Sequence, residues 1–181
     1  VSAPLSVSAF TLDTVSPTVT EITPVPALDN DSTPRYTLKT NEIGSIDYTG
    51  SACISPDATV AVGNNTLVFN ALSDATYNCT INILDRAGNS SPLVITPFTV
   101  DTLAPVLSGG PVLPNPGSAV PGNEPRFTLT SVELHEPGDI IYGGGCTSAT
   151  TTVTGSAVVT FNAVKTVSYP SCTVKVRDGA G

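Results

Sequence analysis

The chain has 181 residues, a formal net charge of −8 and only 12% charged residues, about half the roughly 25% of an average soluble domain. Its 40% apolar content suits a packed core rather than disorder, and its 15 acidic against 7 basic residues exclude the clustered Lys and Arg that a nucleic-acid partner requires. No apolar run approaches the roughly 20 residues of a membrane-spanning helix, and the missing initial Met is expected of a mature or excised segment.

Taken in order, residues 1–12 form a short apolar segment carrying Leu5, Val7, Phe10 and Leu12. Beyond Asp13 the pattern is that of strands. Tyr36–Thr40, Thr66–Phe69, Tyr77–Ile83 and Val94–Val100 alternate with period 2. Asn30-Asp31-Ser32, Gly63-Asn64-Asn65 and Ala87-Gly88-Asn89 read as turns between them. No stretch sustains a 3.6-residue apolar period. Short alternating strands punctuated by Gly, Pro and Asn predict an all-β chain of sandwich type.

The pattern then repeats. Pro34-Arg35-Tyr36-Thr37-Leu38 returns as Pro125-Arg126-Phe127-Thr128-Leu129, Tyr48 and Cys53 as Tyr142 and Cys146, Phe69-Asn70-Ala71 as Phe161-Asn162-Ala163, and Cys79 with Asp85 as Cys172 with Asp178. The offset stays between 91 and 94 residues, so two copies of one unit of sandwich size are expected. The second copy differs in a Pro/Gly-rich loop, Gly109–Asn123, and in an insertion around Leu134–Asp139.

The copies are cut out of phase with the termini. Pro4-Leu5 and Phe10-Thr11-Leu12-Asp13-Thr14 match Pro92-Leu93 and Phe98-Thr99-Val100-Asp101-Thr102. The latter is the last strand of copy one. Copy two stops at Ala180-Gly181 before any such strand. The expected organisation is therefore an orphan strand over 1–12, a first domain over 13–100, and a second over 101–181 that lacks its last strand. A sandwich missing a terminal strand leaves apolar core and backbone N–H and C=O groups open, and an isolated strand is not stable. Each defect remedies the other if residues 1–12 of one unit complete domain two of the next, a head-to-tail strand addition that does not close on itself. The same contacts arise between separate chains or between adjacent repeats of one long chain. Leu5, Val7, Phe10 and Leu12 are the expected polymer interface, with Phe10 and Leu12 on one face and Leu5 and Val7 on the other. A bulge is expected between the halves, as at Pro97 in copy one.

Four Cys allow three pairings. A repeat that folds alone must satisfy itself, which selects Cys53–Cys79 and Cys146–Cys172. Disulfides imply an oxidising compartment, hence an extracellular or cell-surface location. Neither pair has metal-site spacing, and one His cannot complete a zinc site.

The runs Val19–Pro26, Asn30–Thr37, Tyr48–Cys53, Gly63–Phe69, Cys79, Asp85–Asn89 and Phe98–Pro105 resemble the bacterial Ig-like repeats of giant secreted surface proteins and adhesins. The resemblance spans nearly all of copy one. Copy two matches at Pro125–Leu129, Tyr142–Cys146, Phe161 and Cys172–Gly181. It implies two tandem Ig-like β-sandwiches, an extracellular stalk or filament role, and no enzymatic activity.

Other candidates are weaker. Asp13 and Asp101 at the domain junctions, with Asp85 in the Asp-x-Ala-Gly turn, offer hard oxygen ligands for a structural calcium ion, but ordinary turn capping explains the same residues without any metal or cofactor. Sequons stand at Asn30, Asn64, Asn78 and Asn89. Lys39, Lys165 and Lys175 are read as solvated strand lysines and His135 as a loop residue. Gly143-Gly144-Gly145 lacks the Lys of a phosphate cradle. No nucleophile, base and acid stand in a hydrolase pattern. The expected function is structural, a filament, pilus-like fibre or adhesin-stalk unit partnered by copies of itself. The alternative is a ligand- or carbohydrate-binding Ig-like module using the loops Gly109–Asn123 and Leu134–Asp139.

Overall fold

The computed structural model describes residues 2–112, 126–132, 137–162 and 172–181. Its contacts divide the chain into two compact units, Val1–Asp101 and Thr102–Gly181. Both are all-β: the described residues contain no helix, so none is long and apolar enough to cross a membrane.

The first unit holds β1 (Val19–Thr23), β2 (Leu28–Asp29), β3 (Arg35–Thr40), β4 (Gly44–Asp47), β5 (Thr59–Val60), β6 (Gly63–Val68), β7 (Ala75–Tyr77), β8 (Thr80–Leu84), β9 (Ser90–Val94) and β10 (Phe98–Val100). They form three small sheets, β1-β3-β6, β2-β10-β7 and β5-β4-β8-β9. Period-2 alternation sets which side chains turn inward. Tyr36, Leu38 and Thr40 are buried along β3, and Ile81 and Ile83 along β8. Tyr36, Leu38, Ile81 and Ile83 meet Val25, Cys53, Val60, Leu67, Phe69, Ile95, Phe98 and Val100 in one apolar cluster. A row of rings runs through it. Tyr36 stacks on Phe69 at 5.9 Å between centroids, and Phe98 lies 6.4 Å from Phe69 and 5.5 Å from Tyr77. The Cys53–Cys79 disulfide closes the cluster.

Two local readings are corrected. The expected continuous strand Val94–Val100 is two strands, because Pro97 has no N–H for a ladder. The chain leaves the edge of β8 after Val94 and joins β2 and β7 from Phe98 onward. Gly63-Asn64-Asn65, expected as a turn, opens β6 and pairs with Lys39–Thr40 and Leu38 of β3. The turn sits just before it: Gly63 has φ 101°, and the Asn65 amide bonds the backbone of Ala61 and Gly63.

Among its described residues the second unit repeats the order with fewer strands: β11 (Val106–Val112), β12 (Arg126–Val132), β13 (Gly138–Gly143), β14 (Thr152–Val153), β15 (Ser156–Thr160) and β16 (Thr173–Arg177). Its sheets are β11-β12-β15 and β14-β13-β16. They match β1-β3-β6 and β5-β4-β8 of the first unit strand for strand. Equivalent tyrosines latch equivalent loops, Tyr48 donating to the carbonyl of Asp57 and Tyr142 to that of Thr150. The second disulfide joins Cys146 to Cys172. Among the described residues nothing follows β16 in the way β9 and β10 follow β8. Among the described residues Leu129, Ile140, Val153 and Val159 are buried in its core, and Phe161, Val174 and Val176 are half-covered. His135, Lys165, most of the loop Gly109–Asn123 and the insertion residues Leu134–Glu136 lie outside the described residues.

The difference in cover has a measurable consequence. Phe69→Ala, at a fully buried ring, should cost the first unit about 3–5 kcal/mol. Phe161→Ala, at the equivalent half-covered ring, should cost the second less than half as much. Hydrogen exchange read by mass spectrometry reports the two units separately; equal losses would contradict the difference in cover.

Candidate functional site

The first unit closes its core with its last strands, β9 and β10. β9 pairs with β8, placing Leu93 opposite Ile81. The chain continues with the Ile95 N–H donating to the Cys79 carbonyl at 2.9 Å. After Pro97 the Thr99 N–H reaches the Ala27 carbonyl and the Asp101 N–H the Asp29 carbonyl, both at 2.9 Å. Leu93, Ile95, Phe98 and Val100 are 8%, 1%, 1% and 1% exposed. One segment, residues 90–100, thus covers the disulfide, extends the four-stranded sheet and then crosses to another.

A polar clamp holds its middle. The Thr96 N–H and hydroxyl both donate to the Glu21 carboxylate, at 3.0 and 2.6 Å. Burial pulls the Glu21 carboxyl upward, but these bonds prevail and hold it below its ordinary range. The Ser91 hydroxyl donates to the Pro17 carbonyl.

In the second unit the corresponding place is an open groove of about 370 Å³, lined by Leu107, Ser108, Gly109, Leu129, Phe161, Cys172 and Val174. Besides Leu129, buried like its equivalent Leu38, three of these are equivalents of residues sealed in the first unit. Phe161 corresponds to Phe69, Val174 to Ile81 and Cys172 to Cys79, which are 1%, 0% and 3% exposed. Here Phe161 and Val174 are half-buried and Cys172 is exposed. β16 is bonded on one side to β13 and, among the described residues, to no strand on the other.

The segment before the first unit shows the reverse. Residues 2–12 form no strand. Leu5, Val7, Phe10 and Leu12 are 91%, 80%, 84% and 81% exposed. Counting 88 residues forward from each gives Leu93, Ile95, Phe98 and Val100. The four side chains expected as the interface are therefore counterparts of the four that complete the first unit. Full exposure of four large apolar side chains is costly in water, at about 1.5–3 kcal/mol each relative to burial.

The aspartates divide differently from the expected set. Asp13 and Asp85 come together, but with Glu42 rather than Asp101; carboxylate oxygens of the three lie within 4.8 Å of one another. Sequence reasoning missed Glu42 because only the fold brings the β3–β4 connection to the Asp85 turn. Asp101 is buried at the end of β10. The donor set has the hard-oxygen chemistry of a divalent-cation site, and each aspartate also has local structural work. Asp13 accepts from the Val15 N–H. Asp85 accepts from the Asn89 N–H at 2.8 Å and from its amide at 2.7 Å, and the same amide reaches the Asp13 carbonyl.

No protein-family model, curated protein or solved structure matches this chain.

The carboxylates give a pH expectation. The Asn89 side-chain bond is the main cause holding the Asp85 carboxyl below its usual value. The backbone N–H and hydroxyl of Thr33 do the same at Asp31, and the hydroxyl and N–H of Thr49 at Asp47. A carboxyl depressed in the folded state adds stability above its unfolded pKa, about 3.9, and loses it as pH falls through the folded value. The first unit should therefore weaken on acidification below about pH 4. Asp85→Asn should flatten that slope. A thermal-melting series against pH checks both, and an unchanged slope in the variant would remove Asp85 from the account.

Proposed function

We propose that the chain is a structural unit of an extracellular filament, pilus-like fibre or adhesin stalk, built from Ig-like β-sandwiches joined head to tail, in which residues 1–12 of one unit complete the second sandwich of its neighbour. The observation that carries this reading is the paired defect: Leu5, Val7, Phe10 and Leu12 exposed at 80–91%, and an open apolar groove where the first unit seats Leu93, Ile95, Phe98 and Val100.

The register follows from the repeat. Leu5 takes the place of Leu93 opposite Val174, the counterpart of Ile81. The Val7 N–H meets the Cys172 carbonyl as Ile95 meets Cys79. Phe10 enters beside Phe161 as Phe98 lies beside Phe69. Pairing satisfies the free edge of β16 with backbone bonds of roughly 0.5–1.5 kcal/mol each, and the side chains supply the larger apolar term. Because the donor strand and its groove stand at different places on each copy, the contact is heterologous and propagates as a fibre. Neighbouring units are separate chains or successive repeats of one longer chain; the contacts are the same. The two disulfides support this location, since such bonds persist in oxidising surroundings.

Two measurements test the reading. A synthetic peptide of residues 2–13, added to a chain lacking residues 2–12, should bind and protect the β16 amides of Thr173–Arg177 from hydrogen exchange. Phe10→Asp in the peptide should weaken binding at least a hundredfold, since it would bury an unpaired charge. Absence of binding by the unaltered peptide would overturn the proposal. If the units are separate chains, the full chain should also form polymers in electron micrographs that the deleted chain does not.

A further inference from the structure

The two disulfides differ in one respect that the pairing pattern does not show. Cys53 and Cys79 are 0% and 3% exposed. Cys79 is sealed by the strand that follows it: Ile95 bonds its carbonyl and is itself 1% exposed. In the second unit Cys146 is 4% exposed, but Cys172 is exposed and forms part of the groove wall. Thiol–disulfide exchange needs a thiolate to reach one sulfur, so access sets the rate.

Resting on the strand-donation reading, we propose that the Cys146–Cys172 disulfide is open to dithiol reductants in a unit whose groove is empty and is closed by the incoming segment 1–12, so that strand insertion slows reduction. The chemistry balances as a two-electron exchange. One thiolate of a dithiol attacks Cys172, the bond to Cys146 breaks, and Cys146 leaves as a thiolate that takes up a proton. The second thiolate of the dithiol then displaces Cys172 from the mixed disulfide. The dithiol ends as a disulfide and the protein gains two thiols. Val7 seats over Cys172 as Ile95 does over Cys79, which shuts out the attacking thiolate. An assembled unit keeps its bridge.

The test uses the full chain carrying Phe10→Asp, which keeps the groove empty. Under native conditions with dithiothreitol, quenched by alkylation and mapped by mass spectrometry, Cys146 and Cys172 should be labelled at least tenfold faster than Cys53 and Cys79. Added peptide of residues 2–13 should bring that rate down to the Cys53–Cys79 level, with binding followed independently by anisotropy of the labelled peptide. Equal rates for the two disulfides in the free chain would overturn the inference. So would a peptide that binds and leaves Cys172 equally reactive, and this result would leave strand donation standing. A peptide that does not bind would bring down strand donation and, with it, the closing of the disulfide.

Discussion

Everything in this molecule turns on what lies against the outer edge of a single strand. A strand within a sheet must bond its backbone on both sides or leave N–H and C=O groups to water, and its inward side chains must be capped to exclude solvent. β8 meets both demands, with β4 on one side and β9 on the other. Its counterpart β16 meets them on the β13 side alone among the described residues. The consequence spreads inward, since Val174, Val176 and Phe161 are half-covered where Ile81, Ile83 and Phe69 are sealed.

The first unit also shows why one short segment can do so much. Residues 90–100 change partners at Pro97, bonding β8 before it and β2 and β7 after it. Such a segment fastens two sheets at once, and its side chains reach the core from both. This explains the phase break between Leu93 and Ile95 on one side of Pro97 and Phe98 and Val100 on the other: a strand that stays in one sheet keeps one parity, whereas one that changes sheets does not. The clamp is not copied in full. Glu21, which faces Leu38 of β3, corresponds to Gly109, which faces Leu129 of β12, and Ser91 corresponds to Ala3. A segment seated in the second unit would rely on backbone bonds and apolar contact, without the carboxylate and hydroxyl anchors of the first.

The acidic residues are governed by shorter-range physics. Asp29, Asp31 and Asp47 accept bonds from the N–H groups of residues two positions on, and Asp85 from Asn89, the turn chemistry of short carboxylate side chains. Asp13 stands where this turn network meets the root of the exposed segment, through the Asn89 amide bonded to its carbonyl.

The sequence by itself determined the all-β character, the internal repeat and the cysteine pairing, and it singled out Leu5, Val7, Phe10 and Leu12, because period-2 alternation, turn residues and an internal offset are all local or self-referential signals. It missed Glu42 and misplaced the turn at Gly63, and it did not separate the two disulfides. Those depend on which distant segments the fold brings together: the β3–β4 connection beside the Asp85 turn, β6 extended to pair with Thr40, and Cys79 roofed by Ile95 while Cys172 stands at the wall of a groove. Burial is a property of neighbours, and only the tertiary structure supplies them.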